Sequence, residues 1–285
     1  MQVRAKKALP PRKAPQGQPL PKEVAQPHTF PAPIRGWVLN ESLSSPQPAG
    51  ARILDNWICG LTTIAPRKGY TQHATTGSSC LSLLRYKSGG TERLFGATAT
   101  DIYNITTPAD PAVTPAADIT GLTSGLWSQQ MFGATSGNYL TIANGADDVR
   151  QFDGVSWSVP SITGVASSSL SHVWSYGSQI WFAQGGTNSA WYLPTDSISG
   201  AAAEFPLDGV FKKGGSLYFG ASWSVDAGDD LNDRCVFVST EGEIAVYSGL
   251  VSSEFTLDGL YDMARPISKD TMKAGGDLLI MTEVG

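Results

Sequence analysis

The stretch that decides the fold class is LSLLRYKSGGTERLFGATATDIYNIT, residues 81–106. Two runs rich in apolar residues flank the pair Gly89-Gly90, and a third run follows the small residues of GATAT. A Gly-Gly pair between two such runs is typical of a β-hairpin, because glycine adopts the positive φ that a tight turn requires. The stretch therefore predicts three antiparallel strands joined by two turns.

Three later stretches repeat this pattern of short apolar runs between glycine-containing turns. They are NYLTIANGADDVRQFDGVSW (138–157), SHVWSYGSQIWFAQGGTNSAWYLP (171–194), and the pair GGSLYFGASWSV and DRCVFVSTEGEIAVYSG (214–225 and 233–249). Helical periodicity is almost absent, and ARILDNWI (51–58) is the one stretch that predicts a short helix. The pattern is typical of a chain built from many short strands.

The four stretches recur at roughly regular intervals. The intervals are 46, 40 and 37 residues when measured at the central aliphatic residues Leu94, Leu140, Ile180 and Leu217. Each stretch also ends on a strand with an aromatic residue, namely Tyr103, Phe152, Tyr192 and Tyr247. Repeats of about 40 residues with several strands each are typical of propeller blades. We predict an all-β fold of β-propeller-like repeated antiparallel sheets, with a β-sandwich as the alternative architecture.

The first 35 residues differ from the rest in composition. They contain eight of the 18 prolines, and proline is excluded from helix and sheet interiors because it lacks the donor N–H. We predict an extended Pro-rich arm over residues 1–36, followed by a β-propeller-like domain over residues 37–285. Two interpretations of the arm are open. It is either a disordered tail or a segment that wraps a neighbouring subunit through Phe30, Ile34, Arg35 and Trp37.

Charge divides the chain at the same place. The first 35 residues carry seven Lys or Arg against the single Glu23, a net charge of +6, which leaves −11 for residues 36–285 of a chain at −5. An acidic body argues against a surface that binds nucleic acid through phosphate contacts. A basic arm on an acidic body predicts docking onto an acidic neighbour, which can be another copy of the chain.

Cysteine usage and hydropathy indicate where the chain assembles. Cys59, Cys80 and Cys235 are odd in number and unrelated in spacing, so we predict reduced thiols and assembly in a cytoplasm. No run of 18 apolar residues occurs, which predicts that no segment spans a membrane. The basic N-terminus lacks the apolar region of a signal peptide.

Motifs of the common enzyme classes are missing from the sequence. His28, His73 and His172 lie in unrelated contexts, and no zinc, nucleotide-binding or nucleophile-elbow motif occurs. Ser171 directly precedes His172, but neighbouring residues of a strand point to opposite faces of a sheet. We therefore predict that the chain is not an enzyme and uses no cofactor.

Two groups of residues nevertheless suggest sites. Asp226, Asp229, Asp230 and Asp233 lie in VDAGDDLNDR, whose composition resembles a calcium loop without the EF-hand spacing or the closing Glu. A solvated acidic loop is the simpler interpretation, and Asp229-Asp230 is also the candidate pair for a propeller-type hydrolase. Five tryptophans could stack on sugars, although packing between blades explains them first: Trp157, Trp174, Trp181, Trp191 and Trp223.

Several stretches together resemble the tail nozzle proteins of short-tailed bacteriophages, also described as tail tubular or packaged-DNA stabilisation proteins. The resemblance runs from about residue 36 to the end. It includes LDNW and RKGY within residues 39–70, the turns and Phe-Asp-Gly-x-x-Trp ending of residues 139–157, and the stretches 190–217 and 222–249. The final stretch GGDLLIMTEVG (275–285) resembles a family strand that is normally followed by more chain, so we expect that later blades are missing.

The resemblance implies a structural protein of the virion tail. Copies of the chain would form a ring homo-oligomer, a hexamer, below the portal and the head–tail adaptor protein. The ring would conduct the genome during ejection, with transient contact to phage DNA, and would anchor tail fibres or spikes. The family has no catalytic residues to carry over. The alternative function is a carbohydrate- or receptor-binding β-propeller, a lectin-like tail component.

Overall fold

Strands account for nearly all of the regular structure in the computed structural model, which describes residues 32–39, 50–110, 112–224, 233–274 and 276–284. No α-helix occurs in these residues, and apart from strands they contain two 3₁₀ turns, at Ser167–Ser169 and Ser252–Glu254. The predicted all-β class is therefore confirmed. By internal contacts the chain divides into two units, residues 1–70 and residues 71–285.

The described part of the first unit contains one hairpin. Strand β1 (Trp57–Cys59) pairs antiparallel with β2 (Ile64–Pro66). The helix predicted over residues 51–58 is wrong. Asn56 has a φ of 62°, which lies outside the helical region, and its carbonyl accepts the Arg67 N–H that closes the hairpin.

The second unit consists mainly of four antiparallel sheets, here called blades 1 to 4, each with four strands. Blade 1 contains β3 (Ser82–Ser88), β4 (Thr91–Ala97), β5 (Ile102–Asn104) and β6 (Ala117–Ile119). Blade 2 contains β7 (Ser128–Ala134), β8 (Gly137–Ala143), β9 (Arg150–Phe152) and β10 (Trp157–Ser158). In both blades the strands pair in chain order, as in a meander.

Blades 3 and 4 have the same arrangement. A short strand, β11 (Ile162–Thr163), precedes blade 3, which contains β12 (Leu170–Tyr176), β13 (Gln179–Gln184), β14 (Ser189–Tyr192) and β16 (Ala203–Pro206). Strand β15 (Gly200–Ala201) pairs in parallel with β11. Blade 4 contains β17 (Leu217–Ser224), β18 (Asp233–Ser239), β19 (Glu243–Ser248) and β20 (Thr256–Asp262). A hairpin of β21 (Pro266–Ala274) and β22 (Asp277–Thr282) follows.

The repeat in the structure is more regular than the repeat in the sequence. First strands begin 46, 42, 47 and 49 residues apart, at Ser82, Ser128, Leu170, Leu217 and Pro266. Leu94, Leu140 and Ile180 lie in equivalent strands as their alignment predicts, each the second of its blade, whereas Leu217 begins a first strand. That part of the alignment is wrong because Gly214-Gly215 precede a first strand here, and the second strand of blade 4 is β18. The four predicted terminal aromatics all lie in third strands.

Apolar side chains fill the space between consecutive sheets. Phe95 of blade 1 packs with Leu140 and Phe152 of blade 2, while Trp181 of blade 3 packs with Phe237 of blade 4. The two faces of one strand serve different neighbours, since residues that alternate along a strand point to opposite faces. In β13, Ile180 and Phe182 face blade 2, whereas Trp181 and Ala183 face blade 4. The sheets therefore stack face to face in series, which is the packing of a propeller rather than of a two-sheet sandwich.

First strands of consecutive sheets contact one another along this series. The contacts run from β3 to β7, then to β12, to β17 and to β21. In a propeller the first strand of each blade lies nearest the central axis. We call these five strands the inner row, and four of them, β7, β12, β17 and β21, line a common cavity.

Candidate functional site

A cavity of about 340 Å³ opens on the inner row, between β7, β12, β17 and β21. Most of the side chains that line it are polar, among them Ser128, Gln130, His172, Ser222, Lys269 and Lys273. A polar lining is unusual next to sheets whose faces are otherwise packed with aromatic and aliphatic residues. This cavity, here called the inner cavity, is the candidate functional site of the second unit.

His172 lines the inner cavity and joins three strands. Its Nε2 is 3.0 Å from the carbonyl oxygen of Gly220 on β17, and its Nδ1 is 2.8 Å from Oγ of Ser128 on β7. Because a carbonyl can only accept, Nε2 carries the proton and Nδ1 accepts from the serine hydroxyl. Gly220 lacks a side chain where the Trp174 indole packs against it, which lets its strand approach β12 closely.

Burial fixes the protonation state of His172. The imidazole is buried, and loss of hydration lowers its pKa to about 3, assisted by the nearby charge of Lys269 and opposed by the bond to Gly220. The ring is therefore neutral at physiological pH. Oγ of Ser128 also accepts the Val173 N–H at 3.2 Å. A serine and a histidine thus lie within hydrogen-bonding distance, but each is already bonded to the backbone of a neighbouring strand.

Ser171, the neighbour of His172 in sequence, takes no part in this pair. Its Oγ lies 3.4 Å from the carbonyl oxygen of Ala183 on β13. The two side chains leave β12 on opposite faces, as strand alternation predicts. The Ser128–His172 contact was not predicted, because 44 residues separate the partners. The available signal was the recurrence of Ser and Gln on first strands, as in the SQQ of β7.

Further side-chain hydrogen bonds tie the inner row together. The amide of Gln129 on β7 bonds two backbone groups of β3, accepting from Arg85 N–H at 2.8 Å and donating to Leu83 O at 3.0 Å. Gln130 donates to Oγ of Ser175 on β12 at 3.0 Å. These bonds connect strands of different sheets, whose backbones do not pair with one another. The polar residues of the inner row therefore act as cross-links between blades.

Two lysines from β21 complete the cavity lining. The ammonium of Lys269 donates to the carbonyl of Ser171 at 2.9 Å and lies 5.4 Å from the centre of the Tyr218 ring. Burial lowers the pKa of Lys269 below its usual range. Lys273 is exposed and donates to Oγ of Ser222 at 2.8 Å. Neither ammonium forms an ion pair with a carboxylate in the part of the chain that the structure describes.

The predicted calcium loop lies mostly outside the described residues. Asp226, Asp229 and Asp230 belong to the segment 225–232, so the calcium and hydrolase interpretations stay predictions. Asp233 begins β18, and its main-chain carbonyl accepts the hydroxyl of Tyr176 at 3.0 Å. Within the described ranges, no group of three or more His, Cys, Asp or Glu is placed to hold a metal ion.

The predicted arm contacts are described in part. Phe30 lies outside the described residues, whereas Ile34 and Arg35 form a turn before Gly36. The Trp37 side chain is 67% exposed, and its Nε1 donates to the carbonyl of Arg52 at 2.8 Å. Ile34 and Trp37 thus offer apolar surface in the first unit, and whether a neighbouring subunit uses it stays a prediction.

The tryptophans proposed for sugar stacking are packed instead. Trp174 and Trp181 are buried between blades 3 and 4, which confirms the packing interpretation for both. Trp157, Trp191 and Trp223 are partly buried against the core clusters. Nε1 of Trp223 donates to the Gly276 carbonyl at 2.8 Å and so ties β17 to the β21–β22 hairpin.

Comparisons with known proteins support the fold and leave the function open. No protein-family model and no curated protein matches the chain. Among solved structures, BBS1N in complex with ARL6DN, soaked with mercury, is similar with a TM-score of 0.50 and 14% identity, over 77% of this chain and 67% of that chain. The lead-soaked form of the same complex has a TM-score of 0.48 and 12% identity, over 78% of this chain and 69% of that chain. Among the described residues, no helix has the length and apolarity needed to cross a membrane. The four stacked sheets and the similarity to the mercury-soaked structure together show a β-propeller-like fold of repeated antiparallel sheets.

Proposed function

We propose that the chain is a non-catalytic structural module of a bacteriophage tail that assembles with copies of itself into a ring. The observation that carries the proposal is the use of the inner-row polar residues as cross-links between blades. Ser128 and His172, the nearest approach to a nucleophile and base, are both bonded to backbone groups of other strands. A histidine whose pKa is about 3 is also a poor base at neutral pH.

The phage assignment rests on the resemblance of residues 39–70, 139–157, 190–217 and 222–249 to tail nozzle proteins. In this proposal the copies form a hexameric ring below the head–tail adaptor and hold fibres or spikes on the outside. The genome passes through the pore of the ring and not through the inner cavity, because a cavity of about 340 Å³ is far too small for a duplex. The basic arm reaches an acidic neighbour in the ring.

The lectin-like alternative is less well supported by the geometry. Stacking on sugars requires an aromatic face open to solvent, and the five tryptophans considered for it are buried or packed against core clusters. A glycan array with the full chain separates the two functions. Saturable binding to one glycan class would favour the alternative.

The proposal is tested by negative-stain imaging of the purified full chain over a range of concentrations. We expect rings with a central pore. Trp37→Ala should weaken ring formation if the arm contacts a neighbour, while Leu61→Ala, at a 96% exposed residue of the same unit, serves as the matched control. Particles that stay monomeric at every concentration would contradict the proposed assembly.

A further inference from the structure

Lys269 and Lys273 bring two positive charges to a partly enclosed cavity. They lie on the same strand, four residues apart, and both line the inner cavity. Each ammonium has three N–H donors. In the described contacts Lys269 uses one of them for Ser171 O, and Lys273 uses one of its own for Ser222 Oγ. Several donors are therefore available to a ligand in the cavity.

Neutral groups that donate or accept hydrogen bonds line the cavity together with the two lysines. Ser128, Gln130 and Ser175 line the same cavity, and His172 is neutral there. Asp270 is the one carboxylate among the lining residues, and it accepts from Ser268 Oγ at 3.3 Å on its own strand. Burying an ammonium without a counter-charge is costly, so the cavity as described favours an anion.

We propose that the inner cavity binds a small oxyanion, inorganic phosphate or a phosphomonoester, with Lys269 and Lys273 as its charged donors. The two ammonium groups outnumber the single carboxylate of the lining, and charge-assisted hydrogen bonds to phosphate oxygens are among the strong ones. The volume of about 340 Å³ admits such a group with its waters. The site is independent of ring formation, so the two proposals can fail separately.

Isothermal titration of inorganic phosphate into the full chain tests the site, with ionic strength held constant by chloride. We expect saturable binding at one site per chain. Lys269→Met and Lys273→Gln should each weaken binding about tenfold or more, as expected for the loss of one charge-assisted hydrogen bond. The matched control is Lys87→Gln, at an exposed lysine of β3 outside the cavity, which should bind phosphate as the unchanged chain does.

A second arm uses glycerol phosphate as the probe. Tighter binding than that of inorganic phosphate would assign an organic phosphomonoester, and equal or weaker binding would assign the free anion. Lys273 is exposed, so Lys273→Gln tests the site even if Lys269→Met does not fold. The proposal is overturned if the unchanged chain shows no saturable binding, or if Lys273→Gln binds as tightly as Lys87→Gln.

Discussion

Blade 1 and the β21–β22 hairpin stand at opposite ends of the described series of sheets, and their outer faces differ. Residues 73–80, here called the covering segment, lie over part of the outer face of blade 1. Nε2 of His73 donates to Ile105 O at 2.7 Å, and Cys80 and Thr76 lie against Gly96 of β4. On the hairpin, Leu278 and Ile280 pack toward blade 4, while Leu279 and Met272 on the other face are 51% and 65% exposed.

The sequences of the two ends would suggest the reverse, because the hairpin and not blade 1 has the sequence pattern of a fully buried strand. Strand β3 of blade 1 alternates, with Leu84 and Tyr86 buried and Leu83, Arg85 and Lys87 exposed. Strand β22 reads DLLIMT, a nearly continuous apolar run like the CVFV of β18, which is buried on both faces. The burial of a strand therefore depends on what packs against it as well as on its own pattern. The hairpin has the sequence of an interior strand and one face in solvent.

The largest expected effect compares one core residue of blade 1 with one exposed residue of the hairpin. Phe95→Ala removes a fully buried ring between blades 1 and 2 and should lower the free energy of unfolding by about 3–5 kcal/mol. Leu279→Ala, on the exposed face, should change it by less than about 0.5 kcal/mol. Urea unfolding followed by circular dichroism measures both. A Leu279→Ala loss as large as that of Phe95→Ala would mean that the hairpin face is covered in solution.

Acid should destabilise the middle of the series of sheets before its two ends. The pKa of His172 is about 3 in the folded chain and about 6.5 in the unfolded chain. Between these pH values the unfolded chain binds a proton that the folded chain does not bind. The contribution of the neutral imidazole to the free energy of unfolding is fully present above about pH 6.5. It is lost as the pH falls toward 3, at up to about 1.4 kcal/mol per pH unit. Because His172 joins β7, β12 and β17, the seam between blades 2, 3 and 4 should loosen first.

His172→Gln separates this effect from the titration of carboxylates. Glutamine can keep the bond to the Gly220 carbonyl but does not titrate, so the variant should lose stability less steeply between pH 6.5 and 4 than the unchanged chain. Unfolding free energies from urea curves at several pH values provide the comparison. Parallel pH profiles for the two proteins would show that the imidazole is not buried and neutral in solution.

Much of the fold can be predicted from the sequence, because local rules determine its elements. Glycine turns such as Gly89-Gly90 and runs such as those of β3 and β4 predict hairpins, and their recurrence predicts blades. The fourth strands of blades 1 and 2 could not be predicted, since β6 and β10 have only three and two residues and no pattern of their own. The start of β1 could not either, because the apolar residues before it match a helix and the turn depends on one residue, Asn56, at positive φ.

The candidate site could not be predicted from local sequence patterns. Ser128, His172 and Lys269 come from three different sheets, and nothing in their immediate neighbours distinguishes them from other polar strand residues. Their meeting depends on the first strands of several blades lying side by side. The sequence therefore predicts the blades but not the polar cross-links between them, whereas Ser171 and His172, adjacent in sequence, are kept apart by strand alternation.

The smallest expected effect tests whether the covering segment protects blade 1 in solution. A Cβ at Gly96 would lie 3.3 Å from Cys80 Sγ, Thr76 Cγ2 and Ile105 Cδ1, so Gly96→Leu should displace the segment and cost about 1–3 kcal/mol. Leu279→Met, a change on the exposed hairpin face, is the control and should be neutral. Hydrogen exchange should then rise at residues 73–80 and stay unchanged at β22. A Gly96→Leu variant with unchanged stability and exchange would mean that both end faces are equally open.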